Sequence, residues 1–196
     1  MNKDQTPTEI PSSTKTDTGI LIERLLRVTA GTDHRLSDMA DNKAQILITV
    51  NSIILSAVIS LVLGRLKDVQ YLVLPTFILL ATSLLTLILA ILATRPSLPK
   101  GKFTASDITD KKVNLLFFGN FYKMKIKEYA AGMTQTLGDE EYLYQSLIKD
   151  EYAQGVVLGR KYRLLRAAYN VFMFGLIIVI FAFLQSVFHN TNLFVG

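Results

Sequence analysis

Three stretches of this chain, Ala44 to Leu63, Tyr71 to Thr94 and Ala167 to Phe188, each run about 20 residues or more without an ionised side chain. That length lets an α-helix cross the hydrocarbon core of a bilayer, and a surface helix of a soluble protein would carry charges along its outer face. Membrane insertion therefore limits what the chain can fold into. The first stretch stands behind Asp33, His34, Arg35, Asp38, Asp41 and Lys43 and lacks a small-residue cleavage site, so it reads as a span and not as a signal peptide.

The basic residues set an expected orientation. Lysines and arginines crowd the segment from Arg95 to Arg166, only Arg65 and Lys67 lie between the first two spans, and none follows Phe188. The positive-inside rule places the amino terminus and the long segment in the cytoplasm and the carboxyl end outside, in the periplasm for an inner-membrane protein. Half of the residues are hydrophobic and the formal net charge is +5, a modest excess that topology explains without nucleic acid as a partner.

Residues 1–19, rich in Thr, Ser and Pro, are expected to form a disordered cytoplasmic tail. Residues 20–43, with Leu21, Leu25, Val28, Leu36 and Met39 at loosely helical spacing, predict a cytoplasmic helix leading into the first span, 44–63. The second span covers 71–94. Within 95–166, Tyr122, Ile126, Tyr129, Met133 and Leu137 predict an amphipathic helix, Gly138 its stop, and Asp139 the cap of a helix that continues into the third span, 167–188. Residues 189–196 remain as a periplasmic tail. The fold class expected is an all-α membrane protein: three transmembrane helices, with a cytoplasmic helical layer formed by the amino-terminal helix and the loop between spans two and three.

Small residues recur every fourth position in two spans: Ser52, Ser56, Ser60 and Gly64 in the first, and Thr82, Thr86, Ala90 and Thr94 in the second. Such stripes allow close helix packing, either in a hairpin inside one subunit or between subunits of a homo-oligomer. Asn51 lies inside the first span, where an amide needs a polar partner, so a hydrogen bond to a neighbouring helix or a place on a hydrated path is expected.

Catalytic chemistry has little to build on. Cysteine is absent and the two histidines, His34 and His189, are expected on opposite sides of the membrane, which excludes a histidine-based triad and a cysteine or histidine metal cluster. Asp33, Asp38 and Asp41 around His34 do not share one helical face. No phosphate-cradling glycine loop occurs either, so neither an enzyme nor a cofactor is expected. The densest basic feature, Arg160, Lys161, Arg163 and Arg166, fits two roles: a juxtamembrane anchor on anionic lipid, or a site for a small phosphate-bearing ligand with Tyr152, Tyr162 or Tyr122 for stacking.

The stretch Asp38-Met-Ala-Asp41-Asn-Lys43-Ala44-Gln-Ile-Leu-Ile-Thr-Val-Asn51 resembles the beginning of the first span in the transmembrane effectors of the Pycsar antiphage system. Asn114-Leu-Leu-Phe117-Phe118-Gly119-Asn120-Phe121 and Leu158-Gly159-Arg160-Lys161-Tyr162-Arg163-Leu164-Leu165-Arg166-Ala-Ala-Tyr169-Asn170 resemble that family's two other recurring segments, in the same order. The resemblance covers roughly Leu21 to Phe188.

It implies an effector of antiviral defence in the inner membrane. A partner pyrimidine nucleotide cyclase makes cyclic CMP or cyclic UMP, and the effector senses it and impairs the membrane in abortive infection. Some relatives carry a phosphohydrolase domain ahead of the membrane part; residues 1–19 are too short for one, so the helical region itself is expected to sense the ligand. The candidate ligand-binding residues are Arg160, Lys161, Arg163, Arg166, Tyr162, Asn120 and Tyr122. The alternative is a structural adaptor that recruits a soluble partner through Phe117, Phe118 and the tyrosine-bearing helices.

Overall fold

The computed structural model describes residues 12–61, 70–96 and 113–195, and every regular element among them is helical. The helix α1 spans Ser12–Leu61, a 3₁₀ turn Gln70–Leu72 leads into α2 (Val73–Thr94), a short α3 covers Phe118–Phe121, α4 covers Ile126–Leu137 and α5 covers Glu140–Val195. The stretches Gly19–Ser60, Gln70–Thr94 and Glu140–Asn190 are each long and apolar enough to cross a membrane. The protein is thus a multi-pass, all-helical membrane protein.

Proline and capping chemistry mark where the helices start and stop. No proline lies between Pro11 and Pro75, and within that interval α1 runs unbroken from Ser12 to Leu61. Residues 12–19, expected in a disordered tail, are helical, because extending an existing helix costs far less than nucleating one; residues 1–11 lie outside the described residues. Pro75 sits in the first turn of α2, where its missing N–H removes no helical bond. At the other end Arg95 is already extended (φ −62°, ψ 125°), the conformation imposed on a residue before proline, here Pro96. The Gly138 N–H closes α4 on the Thr134 carbonyl (3.0 Å), and the Asp139 carboxylate accepts the Tyr142 N–H (3.0 Å) to cap α5.

The chain divides into two compact units, Met1–His34 with Leu98–Gly155, and Arg35–Ser97 with Val156–Gly196. In the first, Val113 and Leu115 form a small core with Phe121, Met124, Tyr129 and Met133 around it. Tyr142 ties that core to α5 by donating its hydroxyl to the Val113 carbonyl (2.6 Å). Gly19 lets α1 pass close to α5, since a Cβ there would lie 2.6 Å from the Tyr144 hydroxyl. Leu21, Leu25 and Val28 do not pack in this layer as their spacing predicted; they are 58–69% exposed, while their neighbours Ile22 and Leu26 are partly covered.

The second unit is built on small residues. Ala40, Ala44, Ala93 and Leu165 form one buried cluster, and Leu47, Ala90 and Ala168 the next, with Ile48, Leu89 and Phe172 packed against it. Alanine at these positions lets helix backbones approach where lipid supplies no hydrophobic drive. Thr86 and Ala90 of the second-span stripe are buried and Thr82 is partly so. Ser52, Ser56 and Ser60 are instead exposed, which corrects the simpler reading that both stripes close one hairpin; Gly64 lies outside the described residues. The inward face of α1 is made by Ala40, Ala44, Leu47, Asn51 and Val58, at steps of four, three, four and seven that keep to one side of a helix.

Gly175 marks the tightest approach: a Cβ on it would fall within contact distance of the Thr82 methyl. Gly175→Ala is expected to cost about 1–3 kcal/mol through overpacking, and Thr82→Gly in the same chain to recover most of it. Thermal unfolding of the full chain in detergent, single variant against double, measures both.

Candidate functional site

The basic cluster of α5 resolves into residues with different tasks. Lys161 is 17% exposed and points back to α1, its ammonium 2.8 Å from the Asp41 carboxylate and 2.8 Å from the Ser37 hydroxyl. A partly buried ammonium with a carboxylate and a hydroxyl is a structural clasp, not a free ligand donor. Tyr162, the next residue, donates its hydroxyl to the Leu36 carbonyl (3.2 Å), and Tyr169 reaches the Lys43 carbonyl at 3.4 Å. These contacts fasten α5 to the stretch of α1 just before its apolar run. Arg160 and Arg163 are exposed.

Arg166 belongs to a different arrangement. With Lys43, Tyr162, Leu165 and Tyr169 it lines an open cleft of about 390 Å³, within the range of small-molecule sites. Two cationic side chains and two phenol rings thus surround one apolar floor. Neither Lys43 nor Arg166 has a carboxylate partner among the described residues. Lys43 and Arg166 each immediately precede an apolar stretch, so both sit at the depth where a bilayer places its headgroups. The cleft can hold a phosphate-bearing anion by charge-assisted hydrogen bonds and cover an attached ring with tyrosine.

Sequence reasoning named Arg166 and Tyr162 and missed Lys43 and Tyr169. Tyr162, Arg166 and Tyr169 stand at i, i+4 and i+7 on α5, one face of a helix, and Lys43 is the last charge before the first span; together these signals point to the cleft. Lys161 is diverted to Asp41, and Arg160 and Arg163 do not line the cleft. Asn120 and Tyr122 belong to the other unit. There Asn120 donates to the Asn114 carbonyl (2.8 Å) and holds the turn ahead of α3, and Tyr122 is exposed with Lys123 over its ring.

Asn51 is fully buried, and its bond is to its own helix: the amide donates to the Leu47 carbonyl (2.8 Å) instead of to a neighbouring helix. Its carbonyl oxygen has no hydrogen-bond partner among the described residues.

In the first unit, Glu151 carries a buried oxygen without a hydrogen-bond partner among the described residues. Burial raises its carboxyl above the usual carboxylate range, Asp33 and Asp150 push the same way, and His34 opposes them. A raised carboxyl means that the folded state disfavours the charge. The associated stability is full below the unfolded-state pKa and is lost as pH rises through the folded-state value. Glu151→Gln is therefore expected to raise thermal stability at neutral pH, with the gain vanishing in acid below the ordinary glutamate range. Unfolding of variant and parent at both ends of that range tests the sign.

A three-span helical membrane protein with a basic, tyrosine-lined cleft at the headgroup level defines the class. The family model of the Pycsar effector protein domain matches residues 24–187, and the chain belongs to that family. It is thereby an effector of Pycsar antiphage defence, a role set in cyclic nucleotide signalling. No curated protein and no solved structure matches it.

Proposed function

We propose that this protein is a ligand-gated effector of the bacterial inner membrane that takes a cyclic pyrimidine mononucleotide, cyclic CMP or cyclic UMP, in the Lys43–Arg166 cleft and then makes the bilayer leak. The observation that carries this reading is the cleft itself. A cyclic mononucleotide is a phosphodiester with one negative charge and one flat base, and the cleft offers two cations and two phenol rings in about 390 Å³. Its ligand comes from a pyrimidine nucleotide cyclase that acts upstream. The effector works without turnover, by binding alone.

In this reading the amino terminus and residues 95–166 face the cytoplasm, where the nucleotide is made, and the carboxyl end faces the periplasm. Ligand bound between α1 and α5 at the membrane surface changes the spans only insofar as it binds one arrangement better than another. Both helices continue from the cleft into apolar stretches, so a small displacement of Arg166 against Lys43 is carried directly into spans one and three. Subunits of a homo-oligomer then rearrange and open a path for ions.

Binding of labelled cyclic CMP and cyclic UMP to the full chain in phosphatidylcholine nanodiscs tests the site. Arg166→Gln is expected to weaken the preferred nucleotide about tenfold to a hundredfold, the loss of one charge-assisted contact, and the exposed Arg163→Gln to leave it nearly unchanged. Equal affinity for parent and Arg166→Gln would remove the cleft from the account. Saturable retention of phosphatidylglycerol with no nucleotide binding would make it a lipid headgroup site.

A further inference from the structure

The outward faces of the three spans differ in kind. On α2 the exposed positions are apolar, as at Leu84 and Ile88, and along the third span they are mostly so, as at Phe181 and Leu184, with the polar Asn170 and Gln185 exposed only near its two ends. On α1 the exposed positions include Gln45, Thr49, Ser52, Ser56 and Ser60. Two buried hydroxyls of α2 bond to their own helix, Thr76 to the Leu72 carbonyl (2.7 Å) and Thr86 to the Thr82 carbonyl (2.8 Å). The outward polar groups of α1 make no hydrogen bond among the described residues. Polar side chains turned outward in a membrane span call for a partner helix.

The spacing on that face is that of a coiled coil. Met39, Asn42, Ile46, Thr49, Ile53, Ser56 and Ser60 follow one another in alternating steps of three and four, and all are exposed. Ala44, Asn51 and Val58, seven apart on the opposite side, are buried in the chain's own packing at 0%, 0% and 7% exposure. The seam is hollowed in the way that knobs require. Asn42, Gln45, Ile46 and Thr49, at i, i+3, i+4 and i+7, border one depression, and Thr49, Ser52, Ile53 and Ser56 repeat the set in the next. One step towards the amino terminus the register meets Arg35, whose charge ends the seam at Met39.

Charge identifies the occupant. Asp38 and Lys43 flank the seam five residues apart, which in heptad terms is a g position and the e position of the following heptad. Both are exposed and neither has an ion pair among the described residues. Two copies inserted in one membrane with the same topology meet in parallel, and Asp38 then faces Lys43 of the partner subunit on each side of the seam. We propose that span one pairs in parallel with span one of a second copy of this chain through the Met39–Ser60 seam. The proposal rests on the multi-pass membrane reading and does not require the nucleotide. Because Lys43 also lines the cleft, an anion there and Asp38 of the partner subunit compete for the same ammonium.

The chain has no cysteine, so one introduced residue reports alone. Ile46→Cys, Ile53→Cys and Ser56→Cys in the full chain, oxidised in native membranes, are expected to give disulfide-linked dimers, and the lipid-facing Leu84→Cys and Phe181→Cys to stay monomeric. Similar yields at all five positions, or dimers only at Leu84→Cys and Phe181→Cys, would overturn the seam. Asp38→Lys on the Ile46→Cys background is expected to lower dimer yield roughly fivefold, as for two lost exposed ion pairs, and adding Lys43→Asp to restore it. A double swap that stays at the single-variant yield would overturn the parallel register.

Discussion

A bilayer gives apolar helices no hydrophobic reason to touch one another, so every contact between spans must come from close shape and from polar bonds made on purpose. The structure depends on that constraint throughout. Alanines at 40, 44, 90, 93 and 168 and the glycine at 175 bring backbones together in the spans. At the membrane surface the work passes to Lys161, which grips Asp41 and Ser37, and to Tyr162, which reaches the Leu36 carbonyl. Removing one partner of the Lys161–Asp41 pair leaves a partly covered charge behind, so the clasp fixes α5 on α1 more firmly than an exposed pair would.

That clasp also makes the cleft. With Lys161 turned inward, Arg166 and Tyr169, which follow at intervals of five and eight residues, are carried to the neighbouring face beside Lys43. In the proposed reading anchoring falls to Lys161 and recognition to Arg166, five residues further along the same helix. The same economy appears on α1, where one side is packed on alanines and the other carries the polar seam.

Much of the fold was legible in the sequence. The three uncharged stretches are long enough to have no other stable use, and Gly138 and Asp139 mark helix ends through fixed backbone and capping chemistry. The helical stretch 12–19 was not legible, because its Ser and Thr content disfavours a helix locally and only continuity with α1 overrides it. The site was half legible. Composition revealed the basic cluster on α5, but a sequence does not say which ammonium already has a carboxylate, and Asp41 lies 120 positions from Lys161. For the same reason the serine stripe of span one announced a contact without revealing that its own chain leaves it uncovered.

The central claim is that a cyclic pyrimidine nucleotide makes this protein breach the membrane that holds it. The most direct measurement is membrane potential in cells that express it together with a live pyrimidine cyclase, against the same cells with a catalytically dead cyclase. The account predicts depolarisation with the live enzyme alone. A potential that holds steady while the nucleotide accumulates and the protein is inserted would contradict it.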